Sequence, residues 1–186
     1  MAYLSREALF AMGFARLGQN VRISDKASIY EPERMEIGDN CRIDDFCVVS
    51  GKIVMGRNVY VGPFGLLAGG SPGITFENFV TLAYHVQVFS QSDDYSGATM
   101  TNPTVPVAYK SEIKLPVVLR RHTIVGAGAI VGPGAVLAEG TSVGAGAVVM
   151  RSTVPWSIYA GVPARKIRDR SRDLLELEKS YLESET

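Results

Sequence analysis

Two imidazoles, His85 and His122, are the only side chains of this 186-residue chain that ordinarily titrate near neutral pH. His85 lies a short way before Ser92-Asp93-Asp94. A carboxylate beside an imidazole can orient it and stabilise its protonated form, so that the ring serves as a general base. Asp93 could alternatively be the base itself if burial raised its pKa. A third reading is an Asx turn closing a strand, with no chemistry at all. Cys41 and Cys47 are six apart at equivalent positions. They read as buried reduced thiols acting as small hydrophobes, not as a disulfide or metal pair. Two histidines are too few for a three-histidine zinc site, and no metal is expected.

The elements that must position these groups follow from a period of six. Val125, Val131, Leu137, Val143 and Val149 recur at that interval, with small residues four places after each: Ala129, Ala135, Thr141, Ala147 and Thr153. Six fits neither a helix, with its period of 3.6, nor an alternating strand. It fits short parallel strands joined by tight turns and stacked into a solenoid. Upstream the ladder runs Ile37, Ile43, Val49, Met55, Val61, Leu67. It slips by three at Ser71-Pro72-Gly73 and continues as Phe76, Leu82, Val88. Ile113 and Leu119 lead into Val125 in phase, so the coil is predicted over residues 19–154, with one protruding loop at 90–112. His85 then falls at a turn equivalent to Phe46 and Phe64. His122 stacks above His85 if Ile113 belongs to a full coil. If the coil resumes only at Leu119, it lies on another edge as a surface turn histidine.

This ladder, with Gly161-Val162-Pro163-Ala164-Arg165 after it, resembles the hexapeptide-repeat acyltransferases. The resemblance implies a left-handed parallel β-helix of triangular section, an all-β solenoid with terminal helices, working as a homotrimer with active sites between subunits. It implies acetyl-CoA as donor, held through the backbone of Ala127 and Ala145 and by the cations Arg151, Arg165, Lys166 and Arg168. The family's loop covers a neighbour's active site. That makes 90–112 the acceptor-binding element, with Tyr84, Tyr95 and Asn102 as substrate-binding candidates and His85, Asp93 and Asp94 as catalytic ones. In galactoside- and maltose-type enzymes a histidine begins the loop, and Asp93 occupies that position here. Ser92-Asp93-Asp94-Tyr95-Ser96-Gly97 is similar to a segment of acetyltransferases that modify bacterial surface polysaccharides. The function so implied is O-acetylation of a sugar hydroxyl in polysaccharide or O-antigen synthesis. Alternatives are N-acetylation of a nucleotide-linked amino sugar and a non-catalytic trimeric scaffold.

Composition narrows the partners. Lys+Arg and Asp+Glu are both 19, and no basic run favours nucleic acid. Neither a secretory signal nor a membrane span of about 20 apolar residues is legible, so a cytoplasmic single domain is expected. Residues 5–17 are predicted helical, capped by Ser5 and ending at Gly18, with Leu9, Phe10, Met12 and Phe14 as the apolar face. A second helix is predicted over residues 174–184, with Leu174, Leu175, Leu177, Tyr181 and Leu182 at helical spacing and Ser171 as its cap.

Overall fold

The computed structural model describes residues 2–185. The chain is a left-handed β-solenoid of about seven turns with a short helix at each end. Each turn contributes one short strand to each of three parallel sheets, and the strands of a sheet pair in register with the turn before and after. Face one begins with Arg16–Leu17, face two with Arg22–Ile23 and face three with Ser28–Tyr30. Strands in such a stack lie about 4.8 Å apart. The ladder residues Val125, Val131, Leu137, Val143 and Val149 all point into the axis and are buried, as are Ala129, Ala135 and Ala147. The Cys41 and Cys47 thiols occupy the same inward positions and donate to the carbonyls of Gly56 (3.0 Å) and Gly62 (3.2 Å). Burial pushes the Cys41 thiol up to about 11, so it stays protonated.

Two of the three corners share one backbone device. At corner I, between faces one and two, the third residue of the turn adopts positive φ: Asn20, Asn40, Asn58, Phe79, His122, Gly140 and Trp156. Corner II, between faces two and three, does the same with Phe46, Phe64, His85, Gly128 and Gly146. Asparagine and glycine tolerate this region, whereas a bulky residue is strained in it. Side chains also stitch corner I between turns. Asp39 accepts from the Gln19 amide (2.7 Å), and Asn78 accepts from the Arg57 amide (3.0 Å).

Four boundaries differ from the sequence expectation. The N-terminal helix, α1, covers only Arg6–Ala11. Ser5 caps it as expected, but Gly13 at φ 78° turns the chain, and Arg16–Leu17 is already a strand of face one. Leu9 is buried, while Phe10 lies outside under the Arg6 guanidinium. The coil resumes at Val117 rather than Ile113. Ile113 is exposed and pairs antiparallel with Ser92, so the excursion is a hairpin whose base is closed by Gln91–Ser92 and Ile113–Lys114. Its in-phase position is a coincidence of spacing. At the C-terminal end Trp156 occupies corner I of a further turn, and Ser157–Ala160 extends face two before Arg165–Asp169 folds back on it.

The second helix, α2 (Leu174–Ser184), begins after Asp173, with Ser171 accepting from the Asp173 amide. It lies along corner I, and its buried residue is a glutamate, Glu178. One Glu178 oxygen meets both His122 Nε2 (2.9 Å) and the Arg121 guanidinium. Tyr181 packs edge-on against Phe79 and bonds Asn58, and Glu185 pairs with Arg57. His122 is therefore a buried anchor, not a surface turn histidine, and it sits on a different corner from His85.

Candidate active site

Corner II divides into two unlike halves. Toward the N-terminal end, Lys26, Phe46, Phe64 and His85 form a column. Phe46 and Phe64 stack with ring centroids 5.0 Å apart, and Phe64 and His85 stack at 4.7 Å with planes 6° apart. Lys26 Nζ lies over the Phe46 ring at 5.6 Å. Beyond His85 the same position is taken by Gly128 and Gly146, and a Cβ built on either would meet nothing within 4 Å. His85 thus has one face covered by Phe64, and its other face looks along an open groove.

That groove is lined with donors. The amides of Gly128 and Gly146 are consumed by the carbonyls of Tyr84 and Ala127. Those of Ala127 and Ala145, one residue earlier in each turn, meet no acceptor among the described residues. Both alanines are exposed. The groove runs toward a hollow formed by Val148, Met150, Arg151, Tyr159, Ala164 and Arg165. Ala164 is fixed there because its amide donates to the Val148 carbonyl (2.8 Å), so the Pro163-Ala164-Arg165 segment continues the stack. Lys166 is paired with Asp169 (2.7 Å), and Arg168 lies on the same outer strand. Unpaired amides ending at two arginines suit a long polar chain that terminates in phosphates.

The protruding hairpin stands at the far end of face three from His85. Beneath it is a second hollow, lined by Phe89, Ser92, Asp93, Tyr95, Pro103 and Glu112. Glu112 is clamped by Lys114 (2.7 Å) and Lys110 (2.9 Å), whose hydrogen bonds pull its carboxyl down to about 2. Asp93 receives only the Asn102 amide at 3.4 Å, so it is the weakly engaged carboxylate of this hollow. Asp94 turns into the loop instead. It accepts from the Ser96 amide (2.8 Å) and the Thr99 hydroxyl (3.0 Å), and the bonds from Ser96 first, then Thr99, lower its pKa. That is the Asx turn the sequence allowed for. Asn102 likewise caps its own turn through Thr104, and Tyr84 and Tyr95 are exposed. Within one chain neither Asp93 nor Asp94 bonds His85.

Sequence reasoning named His85 as a catalytic candidate and Ala127, Ala145, Arg151 and Arg165 as donor-binding ones; in the structure Gly128 and Gly146, next to the two alanines, continue the corner of His85, and Arg151 and Arg165 line one hollow. Glu112 and Phe89 of the second hollow were not singled out. Nothing in their spacing marks them: Phe89 ends a coil strand of face three and Glu112 precedes the returning strand of the hairpin, and only the fold brings the two together.

Comparison with known proteins gives the line a chemical context. The family described as bacterial transferase hexapeptide (six repeats) matches residues 34–69. A dTDP-4-amino-4,6-dideoxy-D-glucose acyltransferase of Escherichia coli is 38% identical over 184 residues, spanning 97% of this chain and 95% of that protein. The chain belongs to the hexapeptide-repeat acyltransferases. AntD, an N-acyltransferase from Bacillus cereus solved with dTDP and 3-hydroxybutyryl-CoA, is 42% identical, with a TM-score of 0.96 over 98% of this chain and 97% of that one. A serine variant of AntD, solved with dTDP-4-amino-4,6-dideoxyglucose and coenzyme A, is 43% identical, with a TM-score of 0.97 over 98% of both chains.

These relatives correct one expectation. The sequence reading favoured O-acetylation of a sugar hydroxyl, but AntD is an N-acyltransferase and both relatives are named for, or hold, a nucleotide-linked amino sugar. The ladder and the tail carry the family resemblance, and neither distinguishes an amine acceptor from a hydroxyl. Among the described residues, no helix is long and apolar enough to cross a membrane, and no cluster of His, Cys, Asp and Glu could hold a metal ion.

Proposed function

We propose that this acyltransferase moves an acyl group from acyl-CoA to the amino group of a nucleotide-linked 4-amino-4,6-dideoxy sugar. The observation that carries the reading is likeness along nearly the whole chain to an N-acyltransferase solved with that kind of acceptor and with coenzyme A. The geometry of corner II supports it independently. A pantetheine arm laid along Gly128 and Gly146 would meet the free amides of Ala127 and Ala145, with its phosphates toward Arg151 and Arg165. Lys166 and Arg168 stand at the outer margin of that end.

The reaction needs little from the protein beyond placement. The neutral amine attacks the thioester carbonyl, the tetrahedral oxyanion collapses, and the coenzyme A thiolate leaves. The amide nitrogen's surplus proton passes to a base or to the thiolate. An amine is a strong nucleophile once deprotonated, so a modest base suffices. His85, whose free face borders the groove, is the base in this reading. Asp93 is a weakly engaged carboxylate able to receive the sugar ammonium.

Asp93 would act across a subunit boundary, because it and His85 stand at opposite ends of face three. A homotrimer is supported by that face. Along one outward row of it Val48, Leu66, Ile130 and Val148 are apolar, interrupted by Gln87, and Met100, Val107, Tyr109, Ile113 and Leu115 of the excursion and its base are exposed. Apolar side chains gathered on one side of a molecule in this way favour an interface.

The test is a thiol-release assay with acetyl-CoA and 3-hydroxybutyryl-CoA. It offers dTDP-4-amino-4,6-dideoxyglucose beside the same nucleotide sugar bearing a 4-hydroxyl. Turnover of the amine alone is the expected result. Preferential acylation of the hydroxyl sugar would refute the reading.

A further inference from the structure

Six aromatic side chains occupy the strained positive-φ position of the turns, and they fall into two sets. At corner I, Phe79, His122 and Trp156 are covered by the chain itself. Tyr181 of α2 closes on Phe79, Glu178 on His122, and the Arg172 guanidinium on Trp156. At corner II, Phe46, Phe64 and His85 hold the same backbone state at φ 61°, 62° and 59°. Among the described residues nothing covers their outer edges, and Phe46 and Phe64 remain 51% and 48% exposed. Asparagine serves this turn at Asn20, Asn40 and Asn58, so the fold itself does not require aromatics here. Strained bulky residues persist where something else uses them.

Resting on the amino-sugar reading above, we propose that the Phe46–Phe64 column, with Lys26 at its end, is the nucleotide half of the acceptor cleft. It would take the pyrimidine nucleoside diphosphate while the amino sugar lies at His85. Three observations select this occupant. The open glycine half of the corner is accounted for by the donor, so an acceptor meeting the thioester at His85 has only the aromatic half along which to extend. The rings are stacked on one another, so they present their edges, which carry the positive end of the ring quadrupole. Edges of that polarity favour phosphate and pyrimidine carbonyl oxygens over a cation. Lys26 then supplies a cation beyond Phe46. Its partner Asp45 is 3.8 Å away and is itself held by the Ser24 hydroxyl, which leaves Lys26 half exposed. The steps of about 5 Å from His85 to Phe64 and from Phe64 to Phe46 match the reach of a sugar diphosphate.

The test uses Phe46→Asn, Phe64→Asn and Lys26→Gln, since asparagine already holds this turn elsewhere in the coil. Steady-state KM for the amino-sugar nucleotide and for acyl-CoA are measured with the calorimetric Kd for dTDP alone. Oligomeric state is followed by light scattering, and folding by thermal melting. Each variant should raise the acceptor KM and the dTDP Kd about fivefold to tenfold, with the acyl-CoA KM and the assembly unchanged. Unchanged dTDP affinity in folded variants would overturn the proposal. So would loss of the oligomer, which would make the column a seam between copies, or a rise confined to the donor KM. A wild-type protein that binds dTDP but acylates no amino sugar would sink the functional reading and leave this one standing.

Discussion

Removing the Glu178 carboxylate should release α2 from the coil. One oxygen of this 7%-exposed residue serves two partners, His122 (8% exposed) and Arg121. Breaking a buried ion pair by deleting one member costs about 3–5 kcal/mol. The Arg121 side chain is 41% exposed, however, and can regain water on that side. The remaining penalty is that of an imidazole nitrogen left unpaired among Phe79, Trp156 and the helix, about 1–3 kcal/mol. Glu178→Ala is therefore expected to cost about 2–3 kcal/mol, and Glu178→Gln, which keeps an acceptor, about half that. The single tryptophan of the chain, Trp156, reports the event directly because it packs against His122 and Arg172. Its emission should shift to the red in Glu178→Ala, and hydrogen exchange in Leu174–Ser184 should accelerate while the coil strands stay protected. Acid should do the same to the wild type. Burial pushes the Glu178 carboxyl up, but bonds from Arg121 and His122 outweigh it and leave the folded pKa below 4.5. A depressed carboxyl stabilises above its unfolded pKa and loses that contribution as pH falls through the folded value. The tryptophan shift should therefore appear below pH 4.5 in the wild type and be absent from the Glu178→Gln titration. Glu178→Ala with unaltered emission and exchange would refute the assignment of Glu178 as the helix's anchor.

Four further outcomes follow from corner II and the hairpin. Gly128→Phe would continue the aromatic column across the open half of the corner, so the acyl-CoA KM should rise at least about tenfold with little change in the acceptor KM, read by steady-state kinetics. Arg165→Ala should weaken the donor by about fivefold to twentyfold and leave dTDP affinity intact, because it removes a cation from the phosphate end alone; calorimetry with coenzyme A and with dTDP separates the two. Asp93→Asn should lower kcat or raise the acceptor KM while the thermal midpoint holds. Asp94→Ala should instead loosen the loop, seen as faster proteolysis between residues 93 and 112.

The coil was legible because its period is set by packing in the axis, where every turn repeats the same demand. Val125 through Val149 and Cys41 with Cys47 all occupy the inward positions their spacing implied. The misreadings arose where a second period imitates the first. Ile113 lies six before Leu119 yet belongs to the hairpin. Leu9, Phe10, Met12 and Phe14 have helical spacing, but the turn at Gly13 hands the chain to the sheet. Glu178 was invisible for a different cause. Its partner is 56 residues away, and a glutamate on an amphipathic helix reads as solvent-facing until His122 is known to lie beneath it. The glycines of corner II could be placed because they belong to the repeat. The acceptor could not, since amine and hydroxyl differ at one atom and the hairpin that would meet it has no period.

Corners I and II show how so regular a scaffold can carry unlike surfaces. The repeat demands only that each turn accept positive φ, and asparagine, glycine and a strained aromatic all meet that demand. Residue choice at this one position is therefore free of the core, and each corner spends that freedom differently. Corner I uses asparagines and then aromatics as a bed for α2. Corner II changes at His85 from rings to glycines, from a filled edge to an open one. A change at that point brings an open groove and a projecting wall together at a single imidazole. Substituting along corner II should consequently move specificity with little loss of stability, whereas the same exchange at Val86 or Ala129, one position further on and fully buried, should unfold the rung.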